Sequence, residues 1–149
     1  MIINYSNQSL FGKDTNFPFL IQEANLTEGF HLHSHDFSEF KKDKLFKFAE
    51  LAVFIEQNYN KTITINELSQ KIGLSERHFS RIFRSIYGNS PMDYIMKLRL
   101  KYSCILLRST DFNITDAAIK CGFEDSNYFT RQFKKYYGVT PSQYKRGGI

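Results

Sequence analysis

The stretch Glu76-Arg-His-Phe-Ser-Arg-Ile-Phe-Arg-Ser-Ile-Tyr-Gly-Asn-Ser-Pro-Met-Asp-Tyr94 returns fifty residues later as Ser126-Asn-Tyr-Phe-Thr-Arg-Gln-Phe-Lys-Lys-Tyr-Tyr-Gly-Val-Thr-Pro-Ser-Gln-Tyr144. Phe79, Arg81, Phe83, Tyr87, Gly88, Pro91 and Tyr94 recur as Phe129, Arg131, Phe133, Tyr137, Gly138, Pro141 and Tyr144. Seven identities at one offset mark an internal repeat, so one structural unit is used twice.

Upstream of each copy lies a short helix with start and stop signals. Thr64-Ile-Asn-Glu67 fits a capping box, in which the Thr64 hydroxyl accepts an early backbone N–H and Glu67 reaches back. Asn113-Ile-Thr-Asp116 is its counterpart. Leu68 and Ile72 in one helix, and Ala117, Ala118 and Cys121 in the other, are expected to face inward, the small residues allowing a close helix crossing. Gly73 and Gly122 supply the left-handed turn that ends each helix. Ser75 and Asp125 then cap the next one. A helix, a four-residue turn containing Gly and a second capped helix form the helix-turn-helix layout.

The second helices, about 76–87 and 126–137, divide by face. Phe79, Ile82, Phe83 and Ile86 form one apolar stripe; Phe129, Phe133 and Tyr136-Tyr137 form the other. The opposite faces carry Arg77, Ser80, Arg81 and Arg84 in one copy, and Ser126, Asn127, Thr130, Arg131 and Lys134 in the other. Neither has an acidic residue after its first turn, which suits phosphates and base edges better than an ordinary solvated surface. Between the copies, Pro91–Leu107 reads as a long helix capped by Ser90 with Pro91 at its first position. Ahead of them, Leu45, Phe48, Ala49, Ala52, Ile55 and Tyr59 recur at helical spacing. These signals give an all-α fold over about residues 45–146.

Charge separates along the chain. Residues 1–40 carry one Lys against five acidic residues, net −4, whereas residues 41–149 carry 19 Lys and Arg against 10 Asp and Glu, net +9. A polyanion is the natural partner of the second part. Cys104 and Cys121 lack C-x-x-C spacing and read as small buried residues in a reducing compartment. With no 18-residue apolar run and no basic-then-apolar leader, the chain is expected to be soluble and cytoplasmic, without a membrane partner.

Ile114-Thr-Asp-Ala-Ala-Ile-Lys-Cys-Gly-Phe-Glu-Asp-Ser-Asn-Tyr-Phe-Thr-Arg-Gln-Phe-Lys-Lys-Tyr-Tyr-Gly-Val-Thr-Pro-Ser-Gln-Tyr-Lys-Arg146 closely resembles the signature of the AraC family of bacterial transcription regulators, and the resemblance extends over about residues 45–146. It implies seven helices in two helix-turn-helix subdomains joined by the long helix. It also implies sequence-specific binding of double-stranded DNA in adjacent major-groove segments. By position, base contacts would come from Arg77, His78, Ser80, Arg81, Ser126, Asn127, Thr130 and Arg131. Arg84, Lys134 and Lys135 would lie on the phosphate side. An activator of this kind would also meet RNA polymerase. Ser69 stands where the family commonly has Ala, and Arg99 resembles a common family Arg that reads as structural.

Residues 1–40 have short β-branched or aromatic runs broken by Asn, Gly and Pro, a strand-and-loop composition. His33-Ser-His-Asp-Phe-Ser-Glu39 resembles the His-x-His-x-x-x-Glu part of the cupin motif, as in the sensor barrels that often precede AraC-type domains. Forty residues cannot hold a barrel, so 1–40 reads as a truncated sensor remnant and 41–149 as the DNA-binding domain. His31, His33 and His35 would share one side of a strand and, with Glu39, offer a possible metal-ligand set. That makes a small metal-binding protein the alternative function; a protein-interaction module that has lost DNA binding is a third. No cofactor is called for, and no Ser–His–Asp or Cys–His constellation suggests an enzyme.

Overall fold

The computed structural model describes residues 42–147, whose helices are α1 (Lys42–Asn58), α2 (Ile65–Ile72), α3 (Glu76–Tyr87), α4 (Pro91–Arg108), α5 (Ile114–Lys120), α6 (Ser126–Tyr137) and α7 (Pro141–Lys145). The all-α expectation and the seven helices agree with this order. The N-terminal strand-and-loop segment, the cupin-like stretch and the candidate ligands His31, His33, His35 and Glu39 lie outside the described residues.

The helices start where side chains satisfy their free N–H groups. Thr64, Ser75, Ser90, Asn113, Asp125 and Thr140 each accept a backbone N–H of the following turn. At Thr64 only the forward half of the expected capping box forms: Thr64 Oγ1 accepts from the Glu67 N–H at 3.1 Å. The complete reciprocal box occurs instead at Thr140 and Gln143. The turns differ from the expected four residues. Gly73 directly caps α2 at φ 74°, and three residues, Gly73 included, separate α2 from α3. In the second unit Cys121 is the cap and Gly122 takes the positive φ, and five residues, these two included, separate α5 from α6.

Two cores result. The first gathers Phe48, Leu51 and Ile55 of α1 with Leu68, Phe79, Ile82, Phe83, Tyr87, Tyr94, Ile95 and Leu98. Leu51, absent from the expected stripe, is buried because it lies on the three/four-residue seam between Phe48 and Ile55. The second core gathers Leu100, Cys104, Leu107, Ala117, Ala118, Cys121, Phe123, Phe129 and Phe133. Tyr136, expected to face inward beside Tyr137, is 38% exposed. The core stripe of α6 steps by four through Phe129, Phe133 and Tyr137, and Tyr136, about 100° round the helix from Tyr137, instead sets its ring edge-on to Tyr137 and beside the Lys97 ammonium. Ser69 is buried, and its hydroxyl donates to the Asn66 carbonyl at 2.9 Å, which removes the penalty of placing it there.

Identical residues of the repeat build the same ring cluster twice. Phe79–Phe83 and Phe129–Phe133 have centroids 5.6 and 5.5 Å apart, Phe83–Tyr87 and Phe133–Tyr137 4.5 and 4.6 Å, and Phe83–Tyr94 and Phe133–Tyr144 both 5.5 Å. The clusters differ at the phenol of the third ring. Tyr87 Oη donates to the Phe48 carbonyl at 2.8 Å, while Tyr137 lies against the Cys104 thiol.

Phe83→Ala and Phe133→Ala should each destabilise the fold by about 3–5 kcal/mol in chemical denaturation, since each removes the central ring of a cluster; losses below about 1 kcal/mol would contradict this packing. Burial, reinforced by Cys104, pushes the Cys121 thiol up to about 12, and burial likewise raises Cys104. Both thiols should therefore resist alkylation at pH 8 in the native protein and react fully in denaturant.

Candidate nucleic-acid interface

The structure puts the sequence-predicted residues on the outer faces of α3 and α6. Arg77, Arg81 and Arg84 are exposed on α3, with His78 and Ser80 half-buried. On α6, Asn127, Arg131, Lys134 and Lys135 are exposed, and Ser126 and Thr130 are half-buried. Both helices have 12 residues, and Arg81 and Arg131 are each the sixth. Arg84 and Lys134 likewise correspond. The repeat thus duplicates the chemistry of the face as well as its core.

Local hydrogen bonding limits what some groups can offer. Thr130 Oγ1 donates back to the Ser126 carbonyl at 2.8 Å, so its methyl and lone pairs remain for a partner. Ser85 is engaged in the same way with the Arg81 carbonyl at 3.1 Å. The Asn127 N–H is taken by Asp125 Oδ1 at 2.8 Å and the His78 N–H by Ser75 Oγ at 3.3 Å, which fixes the first turn of each helix. Glu76, the acidic residue of α3, lies in the first turn, and α6 has none there.

One member of the face escaped the sequence reading. Tyr128 is 40% exposed, and the Arg131 guanidinium sits 5.9 Å from its ring centroid. Contact over the ring restricts the rotamers of Arg131 and holds it outward. The signal was present: Tyr128 stands fifty residues after His78 and so occupies the equivalent place in the repeat.

Other basic side chains are structural. Arg99 Nε donates to the Tyr59 carbonyl at 2.7 Å and Nη2 to the Lys61 carbonyl at 2.9 Å, in agreement with its expected structural role. Lys145 Nζ donates to the carbonyls of Ser109 and Phe112, fastening α7 to the loop after α4. Among the described residues no group of three or more His, Cys, Asp or Glu side chains could hold a metal ion, and no helix is long and apolar enough to cross a membrane.

A duplicated helix-turn-helix, with two basic helices displayed and two cores beneath, defines the class. A family model described as a helix-turn-helix domain matches residues 68–147, more than half of the chain, and the chain belongs to the AraC family of helix-turn-helix proteins. It is 33% identical over 97 residues to the HTH-type transcriptional regulator ExsA of Pseudomonas aeruginosa, a match covering 65% of this chain and 35% of ExsA. The HTH-type transcriptional activator AarP of Providencia stuartii is 31% identical over 97 residues, covering 65% of this chain and 72% of AarP. The chain thus matches about a third of the length of the larger relative. In fold it resembles the DNA-binding domain of AdpA, solved in complex with a target DNA, with a TM-score of 0.65 at 24% identity, over 68% of this chain and 91% of that one.

Proposed function

We propose that this protein is a sequence-specific, double-stranded-DNA-binding transcription regulator that inserts α3 and α6 into adjacent major-groove segments. The observation that carries this is the placement of Arg81 and Arg131 at equivalent, exposed positions of two basic helices presented by one chain. Membership of the AraC family and the transcriptional roles named for ExsA and AarP support it.

In this mechanism Arg81 and Arg131 read base edges, the guanidinium fork being suited to the two acceptors of guanine in the major groove. Arg77, His78, Ser80, Ser126, Asn127 and Tyr128 supply further base-edge or sugar contacts, and the Thr130 methyl suits a thymine methyl. Arg84, Lys134 and Lys135 neutralise phosphates, which sets register and salt dependence but carries no sequence information. Binding and release are the whole of its chemistry, so we read it as not an enzyme. It would act in the bacterial cytoplasm, and as an activator would also contact RNA polymerase. Residues 41–149 form the DNA-binding domain in this proposal, and 1–40 belong to a cupin-like sensor segment. The alternative, metal held by His31, His33, His35 and Glu39, gains no support from the relatives.

Binding to random-sequence duplexes at two salt concentrations, followed by selection of bound sequences, tests the proposal. A steep loss of affinity with salt and an enriched motif of two half-sites about one DNA turn apart are expected; undetectable binding to any duplex would overturn it. On the selected duplex, Arg81→Ala or Arg131→Ala should cost about 1–3 kcal/mol and relax preference at the contacted base pairs. Lys134→Ala should weaken all duplexes about equally and reduce the salt slope by about 1. An unchanged sequence preference in both Arg variants would show that other residues read the bases.

A further inference from the structure

The two units meet at a narrow seam, and α4 crosses it. Leu98 belongs to the first core and Leu100 to the second, so the helix changes cores at Arg99. From that point the Arg99 side chain reaches back to the loop between α1 and α2, where its guanidinium binds the Tyr59 and Lys61 carbonyls. The middle of the same loop touches the other unit. A Cβ on Gly122 would fall 2.8 Å from the Asn60 carbonyl oxygen, so that turn and the loop backbone are already in contact. Tyr59 stacks on Tyr102 of α4 at 4.3 Å with the rings 12° from parallel, and both rings pack against both cores. Lys97 spans the seam on the opposite side of Arg99 in sequence, from Asn89 Oδ1 at 2.7 Å to the Tyr136 ring of α6 at 5.8 Å. Beside these contacts the seam is open, with a cleft of about 450 Å³ lined by Asn60, Thr62, Ile119, Gly122, Phe123 and Glu124.

We propose that Arg99 is a positioning residue: by holding the Tyr59–Thr62 loop between the units, it fixes the spacing and rotational phase at which α3 and α6 can engage one duplex. This deepens the DNA-binding proposal and rests on it. A single α-helix crossing a thin seam leaves twist and bend between the units soft. Two charge-assisted hydrogen bonds to carbonyls some forty residues away in sequence, with a ring stack and a glycine contact beside them, remove that freedom. When one unit is bound, the effective concentration of the other at its half-site depends on how closely the fixed geometry matches the DNA. Each inserted base pair moves a half-site by about 3.4 Å and about 35°. A rigid protein discriminates strongly against that displacement; a loosened one tolerates it and gives up affinity at the best spacing.

The test uses the duplex recovered by selection, the same duplex with one to five base pairs inserted or removed between the half-sites, and a duplex bearing one half-site alone. Wild-type affinity should fall about tenfold or more for a one-base-pair change. Arg99→Met should flatten this profile and lower affinity at the best spacing about tenfold, while changing single-half-site affinity less than about twofold. Arg99→Lys, whose ammonium reaches fewer acceptors, should fall between. Tyr102→Leu, which removes the stack but keeps apolar bulk, should flatten the profile in the same way and keeps the proposal testable if Arg99→Met does not fold. A profile as sharp as wild type in the folded variants would overturn the proposal. So would an equal loss on single and paired half-sites, which would mark Arg99 as merely stabilising. Absence of wild-type binding to every duplex would instead refute the DNA-binding proposal itself.

Discussion

Phe83 and Phe133 each sit at the centre of a ring cluster, touching one Phe a helical turn before, one Tyr a turn after, and a Tyr from the helix that follows. The displayed helix of each unit is amphipathic, so its polar face can point outward only because the opposite face is held by these rings. The glycine after it turns the chain back, and the proline helix that follows delivers the last ring. The distances from the central Phe to its three neighbours agree within 0.1 Å between the two clusters, whereas the two outer tyrosines are 5.4 Å apart in the first and 6.3 Å apart in the second. Edge-to-face and tilted ring contacts have preferred geometries, so four rings at fixed offsets specify a shape as well as bury area.

On that foundation the molecule solves a second problem, the relation between its halves. Eighteen residues of α4 give roughly 27 Å of helix, less than one turn of DNA, and its two ends lie in different cores. A helix alone sets distance better than it sets twist. The loop after α1 contributes what the helix lacks, because its carbonyls, its tyrosine and its backbone at Asn60 meet three different parts of the seam. The Gly122 position is constrained twice over: φ is +89°, and there is no room for a side chain.

Most of the fold was legible because its determinants are local and repeated. Ser75, Asp125, Ser90 and Pro91 act through groups within one turn, and Phe79, Phe83 and their copies announce themselves by spacing. Leu51 was recoverable from the period, standing three residues after Phe48 and four before Ile55. Glu67, which does not return the bond that its position permits, and Tyr136, which is exposed beside the inward Tyr137, depend on three-dimensional detail that a one-dimensional period leaves open. The outer faces of α3 and α6 were readable from the same repeat, with Tyr128 recoverable by carrying the fifty-residue offset through. The partners of Arg99 were not readable, since Tyr59 and Lys61 are about forty residues away and contribute only backbone oxygen.

In the proposed mechanism one chain reads two major-groove segments on the same face of a duplex. Methylation interference on the selected duplex tests it most directly, because methyl groups on guanine N7 occupy the major groove and those on adenine N3 the minor groove. Two clusters of N7 interference about one turn apart, with no N3 interference at their centres, are the predicted result. A single cluster, or interference dominated by N3, would show that the two helices do not occupy successive major-groove segments.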